Sequence, residues 1–157
     1  MRIAVVGAGS MGCSFGGKLT EAGNEVWLID SWKEHVEKMV WDGLHMEGVG
    51  GDRVVRVKAS TDPVQVGSVD LVMIFTKSND TKTATAQSIP MIGENTLYLT
   101  IQNGLGNREI IASLVGEKRV LSGVTFDGAN ILGPGHVRHT STGRTMIRSE
   151  ERRVGRV

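Results

Sequence analysis

Apolar residues run together over Arg2 to Val6, which predicts a short strand at the start of the chain. Over residues 10–22, Met11, Phe15, Leu19 and Ala22 recur on one face at helical spacing, and Gly23-Asn24 offers a stop. Glu25 to Asp30 reads as a second strand. Ser31-x-x-Glu34 has the form of a capping box. It opens a helix through about Val40 that turns Trp32, Val36, Met39 and Val40 inward, and Asp42-Gly43 ends it. These pieces make a right-handed βαβα opening.

The pattern changes from Leu44 to Ser60. Gly48 to Gly51 predict a hairpin loop and Arg53 to Ala59 alternate polar with apolar, so an antiparallel insertion is expected along one edge. Val69 to Phe75 is an apolar run of the kind buried on both faces of a parallel sheet. Thr76-Lys77-Ser78 follows at its carboxyl end, then a weakly amphipathic helix over about 79–89. Thr96 to Ile101 is a further buried strand that runs into Gln102-Asn103-Gly104. Asn107 is placed to cap a helix to Val115, and Gly116 to end it. Arg119 to Ile131 reads as extended. Gly133-Pro134-Gly135 makes a turn, His136 to Thr140 returns, and a last strand covers about Arg144 to Arg148. The class is therefore α/β: a doubly wound, mostly parallel sheet with an antiparallel hairpin insertion and antiparallel late strands, one domain over residues 1–148.

Composition removes several partners. The chain holds 21 glycines against 3 prolines without a low-complexity tract, so its glycines belong to turns. Net charge is +1 and no basic face recurs, so nucleic acid is not implied. Cys13 is the sole cysteine, which excludes an internal disulfide and suits a cytoplasmic setting. The first strand begins at residue 2, which leaves no room for a signal peptide, and no apolar run reaches membrane-spanning length. No membrane partner is expected. Residues 149–157 crowd Glu150, Glu151, Arg152, Arg153 and Arg156 together, and this charged tail reads as a truncation end.

The chemistry concentrates at the first turn. Gly7-Ala8-Gly9-Ser10-Met11-Gly12 joins a strand to a helix, and Asp30 closes the next strand eighteen residues on. In that context Gly-x-Gly-x-x-Gly is a dinucleotide-binding signal, and the sheet reads as Rossmann-like. Gly7 permits the tight turn, Gly9 lets backbone approach a pyrophosphate, and Gly12 lets the helix pack closely. The helix start supplies free N–H groups and partial positive charge. Asp30 can accept from an adenosine ribose or cap the next helix. A 2′-phosphate about 4 Å from its carboxylate would meet roughly 4 kcal/mol of repulsion at an effective dielectric of 20, which favours NADH over NADPH. Lys33, close in sequence, softens that preference.

Other groups lie at strand ends, where ligands of open α/β sheets sit. Lys77 is a cofactor contact or a solvated lysine, and Asn103-Gly104 a ligand loop or only a turn. Cys13, just inside the helix, reads as a small packed residue. His35, His45, His136 and His139 show no metal-ligand spacing, and His136 and His139 fall on opposite faces of a strand. No metal and no Ser/His/Asp arrangement is expected.

The glycine turn, Thr76-Lys77-Ser78, Gln102-Asn103-Gly104-Leu105-Gly106, Gly123-Val124-Thr125 to Ala129, and Gly133-Pro134-Gly135-His136-Val137 occur in an order that resembles the ketopantoate reductase (2-dehydropantoate 2-reductase) family. The likeness runs through about Arg148. It implies that residues Gly7 to Gly12 bind the cofactor pyrophosphate, that Lys77 contacts the cofactor, that Asn103 positions nicotinamide and substrate, and that Ala129 offers backbone to the cofactor. It implies NAD(P)H-dependent reduction of a small 2-keto acid, 2-dehydropantoate, to pantoate, a step towards pantothenate and coenzyme A. Family members most often use NADPH, and Asp30 stands where NADPH-preferring members carry a basic or neutral residue. They continue into a helical C-terminal domain holding the catalytic lysine. No lysine follows Lys118 here, so that domain is expected to be absent and the chain alone inactive.

Two other readings stay open: a different two-domain hydroxyacid dehydrogenase, and a regulatory module that senses NAD without catalysis. A homodimer is compatible with either.

Overall fold

The structure, a computed structural model, describes residues 1–148; the tail over 149–157 lies outside the described residues. β1 (Arg2–Val6), β2 (Glu25–Ile29), β5 (Lys58–Ser60), β6 (Val69–Ile74), β7 (Ile92–Thr100) and β8 (Val120–Thr125) form one parallel sheet in the order β5-β2-β1-β6-β7-β8. β11 (Thr145–Arg148) adds to β8 antiparallel and closes that edge. The order runs outward in both directions from β1, so the chain switches direction between β1 and β6, where open α/β sheets bind ligands. The Rossmann-like expectation holds.

Alternation along β1 explains the two-sided core. Ile3 and Val5 join the buried cluster on one face, and Ala4 and Val6 join the cluster on the other. α3 (Thr81–Ser88) and α4 (Asn107–Val115) contribute Ala84 and Ile111 to the second cluster. Burying side chains of the size of Ile3 or Val5 stabilises the fold by about 1.5–3 kcal/mol each.

The first cluster is covered differently. α1 (Ser10–Glu21) lies between the main sheet and a second, four-stranded sheet in the order β4-β3-β10-β9. Its strands are β3 (Leu44–Gly48), β4 (Arg53–Val55), β9 (Gly128–Gly133) and β10 (His136–Ser141). The expected hairpin is β3–β4, antiparallel around Gly48–Gly51. The alternating run Arg53 to Ala59 is not one strand: it breaks after Val55, and β5 crosses to the main sheet. The insertion does not stand alone at an edge either, because β10 pairs with β3 in parallel and joins it to the late strands. Arg119 to Ile131 likewise splits at Phe126-Asp127, with β8 in one sheet and β9 in the other.

Two inward faces and two helix caps differ from the sequence pattern. In α1 the fully buried positions are Gly12, Cys13, Ser14, Gly16 and Gly17, while Phe15 and Leu19 are only partly buried. A helix with sheets on two sides needs small residues at both contacts. A Cβ at Gly16 would fall 2.4 Å from Leu28 Cδ2, and one at Gly17 2.2 Å from Met46 Sδ. In α2 (Lys33–Asp42) the buried residues are His35, Val36 and Met39, whereas Trp32 and Val40 are exposed. The capping box does not form: Trp32 holds the N-cap position, and Asp30 Oδ1 accepts from the Trp32 N–H at 2.9 Å. Asp30, not Ser31, therefore shapes the entry to α2. The cap of α4 falls on Gly106, at φ +87°, and Asn107 is its first helical residue.

No helix among the described residues is long and apolar enough to cross a membrane.

Gly12 sets the closest approach in the molecule's first turn, since a Cβ there would lie 2.0 Å from Gly7 O. That contact is backbone and cannot swing aside. Gly12→Ala is expected to lower stability by about 1–3 kcal/mol in urea unfolding. Gly9→Ala, with nothing within 4 Å of its Cβ, is expected to stay within about 0.5 kcal/mol. Equal losses would contradict this packing.

Candidate functional site

The glycine turn sits where β1 ends. Gly7 adopts φ +94° and donates its N–H to Ile29 O at 2.8 Å. A Cβ at this position would meet Thr76 N at 2.7 Å, so both conformation and space require glycine. Gly9 is exposed, with open space around its missing side chain. No side chain caps α1, and its first turn carries no acid. The first-turn N–H groups are thus available to an anion. Thr76 Oγ1, beside Gly7, is buried and has no hydrogen-bond partner. Bare amides, open space at Gly9 and an unpaired hydroxyl fit a pyrophosphate.

A cleft opens on each side of this turn. One, of about 610 Å³, is lined by Gly7, Asp30, Ser31, Asp62, Thr76 and Asp80, with α3 forming its far wall. It holds three carboxylates and no lysine or arginine among its described lining residues. Lys33 does not offset them: its side chain is 81% exposed, 3.6 Å from Glu37. The second cleft, of about 510 Å³, is lined by Met11, Thr76, Lys77, Asn103, Asp127 and Ala129, among others. Thr76 belongs to both. The structure thus brings Gly7 and Asp30 to one cleft and Met11, Lys77, Asn103 and Ala129 to the other. Ala8 is buried beneath the turn, and Ser10 Oγ accepts from the Ile131 N–H at 2.9 Å.

Asn103 is held by its backbone. Its carbonyl accepts from Ser78 Oγ at 2.9 Å and from Asn107 Nδ2 at 3.0 Å. Asn107 Oδ1 in turn accepts from Thr81 Oγ1 at 3.0 Å, and Gln102 Nε2 donates to Thr76 O at 2.5 Å. The expected cap, Asn107, is a buried brace that ties the ends of β6 and β7 together. Lys77 is exposed at the mouth of the cleft.

Two arrangements escaped the sequence. Asp127, only 7% exposed, accepts from Lys18 Nζ at 2.5 Å, lies 3.3 Å from His139 Nε2, and accepts from the Gly143 N–H at 3.0 Å. It ties α1 to the corner where the chain passes from β8 to β9, beside Ala129. Lys18 and His139 lie 109 and 12 residues from Asp127, so no local spacing announces them. His35 is the second. Its Nδ1 accepts from the Gly135 N–H and its Nε2 donates to Ala8 O, both at 2.8 Å, linking the Gly-Pro-Gly turn to the glycine turn. Cys13 is packed, as expected: burial first, and the Asp30 charge second, push its thiol pKa far up.

The structure also groups histidines that are distant in sequence. In linear order they lack ligand spacing, but the parallel register of β3 and β10 places His45 beside His136, with Glu47 alongside.

A six-stranded parallel sheet whose glycine turn lies at the switch point, between two clefts, defines a Rossmann-type nucleotide-binding protein. The sequence profile described as "Ketopantoate reductase PanE/ApbA" matches residues 3–151, and the chain belongs to that family. A 2-dehydropantoate 2-reductase of Halobacterium salinarum is 39% identical over 148 residues, covering 94% of this chain and 48% of that protein. One of Aquifex aeolicus is 33% identical, covering 94% and 46%. Among solved structures, a PanE/ApbA family ketopantoate reductase from Ralstonia eutropha superposes with TM-score 0.88 at 39% identity, over 94% of this chain and 49% of that one. D-mandelate dehydrogenase, solved with NADH and anilino(oxo)acetate, superposes with TM-score 0.88 at 32% identity, over 94% and 48%. The chain spans about half the length of these relatives, matching their N-terminal half.

Burial raises the Asp127 carboxyl pKa, but hydrogen bonds from Lys18, Gly143 and His139 outweigh it and hold the group below its ordinary value. A carboxyl with a lowered folded pKa stabilises above its unfolded pKa, about 3.9, and loses that contribution as pH falls through the folded value. The stability difference between the parent and Asp127→Asn, from urea unfolding, is therefore expected to be constant from pH 7 to about 4.5 and to shrink at lower pH. A difference independent of pH down to about 2 would contradict the assignment.

Proposed function

We propose that this chain is the nicotinamide-cofactor-binding half of a ketopantoate reductase-like oxidoreductase. The whole enzyme reduces the ketone of 2-dehydropantoate to pantoate. The observation that carries this reading is the pair of clefts meeting at the glycine turn and Thr76. Their spacing suits an adenosine on the Asp30 side and a nicotinamide on the Asn103 side, with pyrophosphate between them over Gly9.

The cofactor supplies the hydride when bound. The chain's own residues bind and orient. The amides opening α1 and the residues from Gly7 to Gly12 receive the pyrophosphate. Asp30 keeps one carboxylate oxygen on the Trp32 N–H and has the other for a ribose hydroxyl. Lys77 adds positive charge at the mouth of the second cleft, and Ala129 offers backbone at its wall. Asn103 presents an amide that positions nicotinamide and substrate but cannot act as the acid, since an amide does not give up a proton at neutral pH. Protonation of the ketone falls to the part of the enzyme beyond this half, so turnover by this chain alone is negligible.

NADH is the favoured cofactor because the adenosine cleft carries Asp30, Asp62 and Asp80 with no lysine or arginine among its described lining residues. A 2′-phosphate near these groups is repelled by several kcal/mol, of the order of 4 for a pair about 4 Å apart at dielectric 20. Titration calorimetry with NADH, NADPH and ADP-ribose is expected to show NADH binding at least ~10-fold tighter than NADPH. Asp30→Ala should narrow that ratio. Equal affinities in the parent would overturn the preference, and no binding of any of the three by folded protein would overturn the function.

D-mandelate dehydrogenase, at the same TM-score, favours a second reading in which the 2-keto acid bears a different substituent. Assay of a full-length enzyme carrying this half with 2-dehydropantoate and with phenylglyoxylate separates the two. In that enzyme Asn103→Ala is expected to lower kcat by 10-fold or more while changing NADH affinity by less than about 3-fold. The reverse pattern would remove Asn103 from the substrate side of the site.

A further inference from the structure

A cluster of donors on the outer face of the second sheet takes no part in nucleotide binding. In β3, Leu44 and Met46 point inward and are fully buried; in β10, Val137 and His139 do the same. Alternation therefore turns His45, Glu47, His136 and Arg138 outward. The parallel register sets His45 opposite His136 and Glu47 opposite Arg138. The two imidazoles stack with ring centroids 4.0 Å apart and planes 9° from parallel. Their side chains are 37% and 30% exposed, and that of Glu47 is 23% exposed, so all three are reachable yet constrained.

The hydrogen bonds already draw these groups together. His136 Nε2 lies 2.8 Å from Glu47 Oε2. His45 Nε2 pairs with Asp52 Oδ1, carried by the loop between β3 and β4. Arg138 binds the other oxygen of Glu47, with Nε at 2.6 Å and Nη2 at 2.5 Å. Arg138 thus fixes one carboxylate oxygen and leaves Oε2 directed at His136, the role a supporting partner plays for a ligating carboxylate.

We propose that His45, Glu47 and His136 form a binding site for a zinc-like divalent transition-metal ion, with Asp52 as a fourth donor. The ligand atoms of His45, Glu47 and His136 lie within 4.8 Å of one another, and Asp52 Oδ1 joins this group through its contact with His45 Nε2. Tetrahedral zinc with bonds of about 2.0–2.2 Å needs ligand atoms roughly 3.3 Å apart, so modest side-chain rotation closes the site. Two imidazole nitrogens with carboxylate oxygens suit zinc, whereas calcium and magnesium prefer all-oxygen shells. Arg138 adds a positive charge nearby, which Glu47 and Asp52 together exceed in magnitude.

Such an ion joins β3 to β10 across 91 positions of sequence, at the parallel pair that unites the insertion with the late strands. It steadies the sheet that covers α1 and carries Ala129. This inference does not rest on the cofactor reading, because the donors lie outside both clefts.

Tag-free apo protein titrated with Co²⁺ is the direct test, since tetrahedral Co²⁺ bound by imidazole and carboxylate absorbs in the visible. One equivalent is expected to saturate, and Zn²⁺ to displace it. Saturating Zn²⁺, about 100 times its Kd, is expected to raise Tm by roughly 5–10 °C. His45→Ala and His136→Ala should each weaken binding by 10-fold or more, while ADP-ribose affinity stays unchanged and reports an intact fold. If either variant fails to fold, His45→Gln and His136→Gln serve in its place. Absence of saturable Co²⁺ binding to the parent overturns the proposal, and so does full-affinity binding by a folded variant lacking either histidine.

Discussion

The close approach of α1 to its surroundings is the constraint on which the rest depends. Gly12 brings the helix onto the carbonyl of Gly7, Gly16 onto Leu28 of the main sheet, and Gly17 onto Met46 of the second sheet. Three missing side chains let one helix serve two sheets. The same approach fixes the position of the helix's N-terminus relative to β1. This N-terminus is uncapped and lies beside the open space at Gly9, so its first-turn amides are free to meet an anion. Packing and binding therefore share one cause: the glycines that make the contact tight also aim the amides.

The second sheet extends the site rather than merely covering it. His35 ties the turn at Gly135 to Ala8 beneath the glycine turn, and Asp127 ties the corner of β8 and β9 to Lys18 of α1. Ser10 accepts from the backbone of Ile131. Three contacts thus join the late strands and their turns to the glycine turn or to α1, across about 100 residues or more. They hold Ala129 and Asp127 at the wall of the cleft that also contains Lys77 and Asn103. The two clefts differ in electrostatic character. Among the described lining residues, the charged groups of the side with Asp30, Asp62 and Asp80 are all carboxylates, while the other side carries Lys77 and the amides of Gln102 and Asn103 beside Asp127, whose charge is paired with Lys18.

What the sequence made legible follows from range. The glycine turn, the parallel strands and their helices rest on local patterns of a few residues, and they appear where periodicity puts them. Membership of the ketopantoate reductase family was legible from several separated motifs in order, and the family profile confirms it. The misreadings came from competition between local devices and from non-local pairing. Asp30 rather than Ser31 shaped the start of α2, because an acid two residues before a free N–H forms the same kind of turn. Asn107 looked like a cap, yet Gly106 took that place with positive φ and left the amide to brace Asn103. The strand breaks after Val55 and at Phe126-Asp127 could not be read, since β-branched and polar alternation continues through both while the chain changes sheets. The Lys18–Asp127–His139 and His45–Glu47–His136 groupings depend on sheet register alone.

The central claim is that one dinucleotide spans both clefts across the glycine turn. The most direct measurement is amide NMR of isotope-labelled chain titrated with NADH and, separately, with AMP. The account predicts that NADH shifts the amides from Gly7 to Gly12 together with those near Asp30 and those near Asn103 and Ala129. AMP should shift only the glycine turn and the Asp30 side. Shifts confined to one cleft with NADH, or none at the glycine turn, would contradict it.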